Sequence, residues 1–510
     1  MKKFKPIKIL SLFLITVLIS SILFSCGDNV SDGSDGIDVN NPTDSNTSES
    51  QSGGESDPVG ENAEPVRLEP DLPDADFGGY TFTFIAPNRL GDLDWVSPTP
   101  LELVAEEETG EPVNDAVYRR NMRIMERYNV EFNMITSGSE KGNLNKAVKA
   151  GDDLYGAVVM FNNNIPGIVT SNLLLEISEL PYIDLNKPWW DSAVSSMSVA
   201  NKNFLLGGDL LILDNEATNA LVFNKKLMSD LSIELPYNAV KNGTWTLDML
   251  TEKVKGAGAD LNGDGMMGAE DRWGLCVYGD TFHAFLIGGG GALAVKDEND
   301  IPYLDFTSQK NLAIIDKALD LMFSKDYVVN VQSNNFYGLN QHITSFQENK
   351  ILFMWIRMRV VEQLRGMDSD FGILPIPKYD EVQEKYYSVV NPYTGALLGI
   401  PKTVRDVKRT SIILEALAAE SRYTVQPAYY DVVLTRKYAR DEESEEMLDI
   451  IFNSRVYDVG AVYAFGDVFL TFKDLSTTKQ RPDVISFYES KRDKIQSAID
   501  KFVETLKSMD

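Results

Sequence analysis

Tyr80-Thr-Phe-Thr-Phe84, the run from Asn114 to Tyr128, and Val130-Glu-Phe-Asn-Met134 together carry the first readable piece of architecture. The first segment alternates aromatic residues with threonines, the period-two pattern of a strand, and stops by Pro87. In the second, Val117, Asn121, Ile124, Met125 and Tyr128 fall near one helical face, with Asn114 or Asp115 placed to cap its start. Asn129 suits the left-handed position that closes such a helix. The third segment alternates again. Strand, helix, strand is the opening of an α/β domain with a largely parallel sheet. Ala157–Met160 and Asn219–Phe223 read as further buried strands. Near the end, Asp483 is placed to cap a helix whose apolar residues include Ile485, Tyr488, Ile495, Ile499, Phe502 and Leu506. No internal repeat is visible.

The chain has 510 residues, 43% hydrophobic and 10% aromatic, enough for two or three cores of ordinary size. Its 48 Lys and Arg against 76 Asp and Glu leave a net charge of −28. That balance argues against general nucleic-acid binding, which needs a basic footprint. Two Cys and two His are too few for a Cys/His zinc site, an iron–sulfur cluster or a disulfide framework.

Charge is unevenly placed. Lys2, Lys3, Lys5 and Lys8 precede a 16-residue apolar run from Ile9 to Phe24, and Ser25-Cys26-Gly27 follows. A basic start, a short apolar core and a small residue before the break describe an export signal over residues 1–25. The run is short of the roughly 20 residues that cross a bilayer. Leu23-Phe24-Ser25-Cys26 resembles a bacterial lipobox, which implies cleavage before Cys26 and acylation of its thiol, with palmitate as one expected chain. Residues 26–78 form the lipidated start and a tether. From 27 to 78 there are 14 acidic residues and one basic, Arg67, among much Ser, Gly, Asn and Pro. Such a segment cannot bury enough apolar surface to offset its ordering entropy, and it holds a globular body away from the membrane. Removing the first 26 residues (+4) and the tether (−13) leaves −19 on residues 79–510, so the body is acidic in its own right.

Over residues 79–510 the sequence resembles the extracellular solute-binding proteins of ABC importers, in the sugar- and oligosaccharide-binding family 1 branch. The resemblance rests on an ordered set of motifs. Glu111-Pro-Val-Asn-Asp-Ala-Val-Tyr118 leads to Arg127-Tyr-Asn-Val130. Gly208-Asp-Leu-Leu-Ile-Leu-Asp214 is followed by Val222-Phe-Asn-Lys-Lys-Leu227, and Gly243-Thr-Trp-Thr-Leu-Asp248 opens a helix. Phe346-Gln-Glu-Asn-Lys350 precedes a strand, and Phe371-Gly-Ile-Leu-Pro-Ile-Pro-Lys378 comes before Gly399-Ile-Pro401. The resemblance implies a type II periplasmic-binding-protein-like fold: two α/β lobes joined by a multi-crossing hinge and closing on ligand between them. Motif order puts one lobe at 79–208 plus 392–435 and the other at 209–391 plus 436–510. Gly207-Gly208 and Asn391 to Gly395 fall at the expected crossings, where glycine eases backbone change.

A sugar cleft wants flat aromatic faces flanked by carboxylates, amides and guanidinium groups. Pro188-Trp189-Trp190-Asp191 is the strongest local candidate; the alternative is that both indoles pack in a lobe core. Phe161, Asn162 and Asn163 follow a buried strand, where open α/β sheets bind ligands, and the resemblance implies that this loop supplies contacts. Consecutive Asn residues also form turns. Trp355 and Arg357, with Arg359 nearby, reach the expected cleft; the arginines either bind hydroxyls or a carboxylate, or pair with Asp and Glu on the other lobe. Trp95 follows the first strand, Asp214 and Asn215 (with Glu216 beside them) lie just past a hinge strand, and Tyr393 lies at another crossing. Trp245 is assigned to packing at a helix start.

Asp260-Leu-Asn262-Gly-Asp264-Gly265-Met266-Met-Gly268-Ala-Glu270-Asp271 reads as a calcium loop of EF-hand or dockerin type. Asp260, Asn262 and Asp264 offer oxygens at positions 1, 3 and 5, Met266 its carbonyl at 7, and Asp271 a carboxylate at 12, giving Ca2+ a structural role; a plain Asx/Gly turn is the alternative. Gly288 to Gly291 lack the Lys-Ser/Thr of a phosphate loop and read as a flexible turn. His283 and His342 are isolated, and Cys276 reads as a buried free thiol.

The sequence therefore points to a non-enzymatic, lipid-anchored receptor on the extracellular side of a bacterial cell membrane. It is expected to be a monomer that captures a carbohydrate and delivers it to the transmembrane subunits of an ABC permease. The rivals are a secreted hydrolase, which needs two carboxylates about 5–10 Å apart across a cleft, and a surface adhesin that keeps the fold.

Overall fold

The strand–helix–strand opening forms, with one change at the helix start. The computed structural model describes residues 67–88, 101–333, 340–435 and 442–509. In it β1 (Tyr80–Pro87) and β2 (Val130–Ser137) run parallel in register Tyr80↔Val130, and β3 (Ala157–Phe161) is parallel to β1 on its other side. The helix between β1 and β2 spans Pro112–Tyr128 and is capped by Glu111, whose carboxylate accepts from the Asn114 N–H at 2.7 Å. Pro112 explains the earlier start: its fixed φ and missing N–H suit the first helical position. Asp115 instead accepts from the Thr109 N–H at 2.7 Å. Asn129 closes the helix at φ 51°.

Further along the chain come β4 (Asn219–Asn224), β5 (Trp273–Val277), β6 (Ala294–Lys296), β7 (Pro302–Leu304), β8 (Val328–Asn330), β9 (Ile351–Arg357), β10 (Phe371–Leu374), β11 (Ser388–Val389), β12 (Ala396–Gly399) and β13 (Arg455–Val456). They divide between two larger sheets. One has the order β12-β3-β1-β2, with only β12 antiparallel; the other has the order β10-β4-β9-β5-β8, with β9, β5 and β8 parallel. The short strands β11 and β13 pair in parallel, and β6 and β7 form an antiparallel hairpin. The helices Val407–Tyr423 and Val425–Thr435 pack on Pro112–Tyr128, while Glu442–Asn453 packs on β10.

The strands read as buried are buried at every position of β3 and β4. Asp483 caps the closing helix, Val484–Lys507, accepting from the Ser486 N–H at 2.7 Å. Ile485 stays 46% exposed and Val484 takes the inward place. Trp245 packs as expected, stacked on Phe353 and donating its indole N–H to the Pro375 carbonyl at 3.0 Å. Among the described residues no helix is long and apolar enough to cross a membrane.

Gly208 is required by close packing. Trp190 and Gly208 form a bridge there, and a Cβ on Gly208, at φ +146°, would lie 2.2 Å from the Trp189 carbonyl oxygen. The glycine run 288–291 is likewise tightly packed: a Cβ at Gly288 would meet Ile376 at 2.3 Å, and one at Gly291 would meet Asn311 at 2.4 Å.

Candidate functional site

Because β5 and β9 are parallel neighbours, their carboxyl ends come out side by side. Trp355 and Arg357 end β9, and Tyr278 follows β5 directly. The Tyr278 and Trp355 rings lie 5.7 Å apart at 53°, and the Arg357 guanidinium sits 5.9 Å from the Trp355 ring. Tyr278 places its hydroxyl 3.0 Å from His342 Nε2. Trp355 is 4% exposed, and its indole N–H has no hydrogen-bond partner among the described residues. Burial lowers the His342 pKa to about 4, so the ring is neutral at pH 7 and the cluster carries charge only through Arg357.

Asp280 begins the helix that follows Tyr278, spanning Asp280–Gly288. Its carboxylate accepts from the Asn391 side-chain amide at 3.0 Å and pairs with Lys473 at 3.0 Å. Asn391 in turn accepts from the Tyr393 N–H at 3.0 Å, and the Tyr393 ring lies 5.3 Å from Phe469. His283, one turn along the same helix, meets Phe469 edge-on at 5.0 Å. Trp355, Arg357 and Tyr393 are thus brought into one continuous group.

The second bank is the carboxyl end of β3. Asn162 is fully buried, and neither its amide nitrogen nor its oxygen has a partner among the described residues. Asn163 follows it in a single 3-10 turn, Asn162–Asn164, and the Val459–Val462 helix lies against that turn. The next helix, Val468–Lys473, carries both Phe469 and Lys473, so a short run of chain links the two banks. Trp95 lies outside the described residues, as does Cys26.

Other expectations are corrected. Trp189 and Trp190 are 0% and 4% exposed, and both indole N–H groups donate to Glu415, at 2.9 and 2.6 Å. The pair is a core device around one buried carboxylate, whose pKa burial raises to about 7. Phe161 is also wholly in the core. Asp191, Asp214 and Asn215 all turn to one guanidinium: Arg455 pairs with Asp191 at 3.1 Å and Asp214 at 3.4 Å, and bonds the Asn215 amide oxygen. Their polar atoms hold chain crossings together. Arg359 pairs with Glu216 at 3.2 Å, a partner within the same 209–391 stretch and not on the other lobe as expected. Tyr278, Asp280, Asn391 and Lys473 were missed; for Tyr278 a signal existed, since it follows the apolar run Trp273–Val277 as Asn162 follows β3.

No protein-family model matches the sequence, and no curated protein matches it either. Solved structures do. UspC of Mycobacterium tuberculosis aligns with TM-score 0.54 at 14% identity, over 82% of this chain and 100% of its own. The galacto-N-biose/lacto-N-biose I-binding protein of an ABC transporter from Bifidobacterium longum aligns at 0.53 and 14%, over 84% and 98%. The chain has the fold of the two-lobed solute-binding proteins. UgpB of M. tuberculosis, solved with glycerophosphocholine, matches the same fold at 0.53 and 14%, over 83% and 99%. In open α/β sheets ligands bind outside the carboxyl ends of the strands. Trp355, Tyr278 and Arg357 stand at the carboxyl ends of strands in one sheet and Asn162 at that of a strand in the other.

Proposed function

We propose that the protein is a lipid-anchored extracellular receptor that captures a carbohydrate between two lobes and delivers it, unaltered, to an ABC permease. The feature that supports this reading is that each of the two large sheets has, at the carboxyl end of a strand, a buried side chain with polar atoms left over, Trp355 on one and Asn162 on the other. Among the described residues, a buried aromatic ring with an unpartnered N–H stands at one strand end, and a buried amide with unpartnered donor and acceptor stands at the other. Buried polar groups without partners are costly, about 1–3 kcal/mol each, unless a ligand completes them. A pyranose brings an apolar ring face together with hydroxyls that donate and accept. The printed name of the Bifidobacterium relative, a disaccharide-binding protein of an ABC transporter, supports the same class.

The lobe assignment proposed is 79–208 plus 392–435 and 209–391 plus 436–510; it is supported by β12 joining β1–β3 while β4, β5, β8, β9 and β10 make up the other large sheet. The anchor proposed is Cys26. A thermal-shift screen of residues 27–510 against neutral and acidic oligosaccharides tests the function. A hit whose sugar is recovered intact supports a receptor; a cleaved sugar indicates a hydrolase, and silence across the panel removes the carbohydrate.

A structural Ca2+ in the 260–271 loop is also proposed. Asp260 accepts from the Gly263 and Gly265 N–H groups, and Asp264 from that of Met266, leaving lone pairs on each carboxylate. Among the described residues no three Asp, Glu, His or Cys side chains form a metal-holding group. An ion would therefore draw on the Asn262 amide oxygen and the Met266 carbonyl as well as Asp260 and Asp264. Asp271, now accepting from Leu261 and Gly268 N–H groups, would reorient toward it.

A further inference from the structure

A hairpin arm leaves the edge of the four-stranded sheet and docks beside the β6–β7 hairpin. Its base is pinned by the bridges Trp190↔Gly208 and Leu206↔Leu398. Its tip, Val199 to Lys202, turns through Ala200 and Asn201, both in the left-handed region at φ 53° and 61°. The β6–β7 turn grips that tip. The Ala200 N–H donates to the Asp300 carbonyl at 2.9 Å, while the Asp300 carboxylate accepts from the Asn201 N–H at 2.9 Å and the Ser198 hydroxyl at 3.0 Å. Lys296 donates to the Ser196 carbonyl at 2.7 Å, and Tyr463 to that of Met197 at 2.7 Å.

Between this arm and the structure beneath it lies a cavity of about 430 Å³, lined by Met197 of the arm and by Ile287, Ala292, Val295, Tyr387 and Tyr457, among others. On the side of Tyr278 and Asp280 it stands apart from the strand ends, while on the other side Val459 of its lining begins the helix that lies against the Asn162 turn. Asp280 marks the cleft at the start of its helix and Ile287 marks the cavity near the end, so about 10 Å of helix divides them at 1.5 Å per residue. The charged groups on its wall are already engaged. Lys296 is held by Ser196, Ser198 and Asp300, and Asp458 accepts from the Leu293 and Ala461 N–H groups at 2.9 and 2.8 Å. A charged ligand would find no unpaired counter-charge there, and among the described residues the hydroxyl of Tyr457 is buried without a hydrogen-bond partner. Two tyrosine rings and aliphatic walls remain, in a volume typical of small-molecule sites.

We infer that this cavity is a second binding site, independent of the carbohydrate cleft, for an uncharged, ring-bearing, largely apolar ligand with one polar group to meet the Tyr457 hydroxyl. The probe is N-phenyl-1-naphthylamine, a neutral fluorophore of that class, titrated into the protein of residues 27–510. Saturable one-to-one binding is expected, weakened at least tenfold in Val295→Trp and in Ala292→Trp, which fill the cavity, and kept in Trp355→Ala. Wild type that does not bind, filled variants that bind as wild type does, or loss in Trp355→Ala would each overturn the site. Should a filled variant fail to fold, a crystal of the wild-type protein with the probe decides: density beside Tyr457 supports the site, and density elsewhere or none rejects it.

Discussion

Arg455 and Asp214 face each other 3.4 Å apart at the point where three separate stretches of chain meet. The same guanidinium holds Asp191 at the base of the hairpin arm, and Asn215 beside Asp214 donates to Gln426 at 2.9 Å. Burial pushes the Asp214 carboxyl up to about 7 despite the pull of Arg455. A carboxyl with a raised folded pKa stabilises the fold fully below its unfolded value and loses that contribution as pH climbs through the folded one. Asp214→Asn should therefore gain on wild type in melting temperature from about pH 4 to pH 7 and level off above. A gap that stays constant with pH would show that Asp214 does not titrate in that window.

His342 has the opposite sign. Its pKa falls from 6.5 to about 4 through burial, so the stability of the neutral ring is present above pH 6.5 and is lost as pH drops toward 4. His342→Gln should lose less melting temperature than wild type between pH 7 and pH 4.5. Equal losses would remove His342 as an acid-sensitive group.

Glu415 should matter to stability and not to ligand. Glu415→Ala leaves two buried indole N–H groups without an acceptor, at about 1–3 kcal/mol each, and a cavity besides. Chemical denaturation should show a loss of roughly 2–5 kcal/mol with affinity for any identified sugar unchanged. A weakened sugar affinity with normal stability would return Trp189 and Trp190 to the cleft.

Chelation tests the calcium loop. EDTA should lower the melting temperature of wild type and leave that of a variant with Asp260→Ala and Asp264→Ala unaffected. A wild-type melt unchanged by EDTA counts against a bound ion.

The elements were legible because each is a local pattern. The alternation in Tyr80–Phe84, the Asn129 closure and the Asp483 cap depend on residues within a few positions of one another, and all three form. The site was only partly legible because side-chain direction is a tertiary property. Trp355 and Arg357 could be placed from the end of a buried strand. Trp189 and Trp190 could not, since what draws them inward is Glu415, more than two hundred residues away. Asp191, Asp214 and Asn215 share that history: their partner, Arg455, comes from a strand pairing between β11 and β13 that no local pattern announces.

Calorimetric titration with the sugar found in the screen, on wild type and on Trp355→Ala and Asn162→Ala, is the most direct test of the cleft. The account predicts intact sugar bound one-to-one by wild type and at least tenfold weaker binding in both variants, about 1.4 kcal/mol or more each, with melting behaviour preserved. Undiminished binding in both folded variants would contradict it, because the carbohydrate would then lie away from the two strand ends where Trp355 and Asn162 stand.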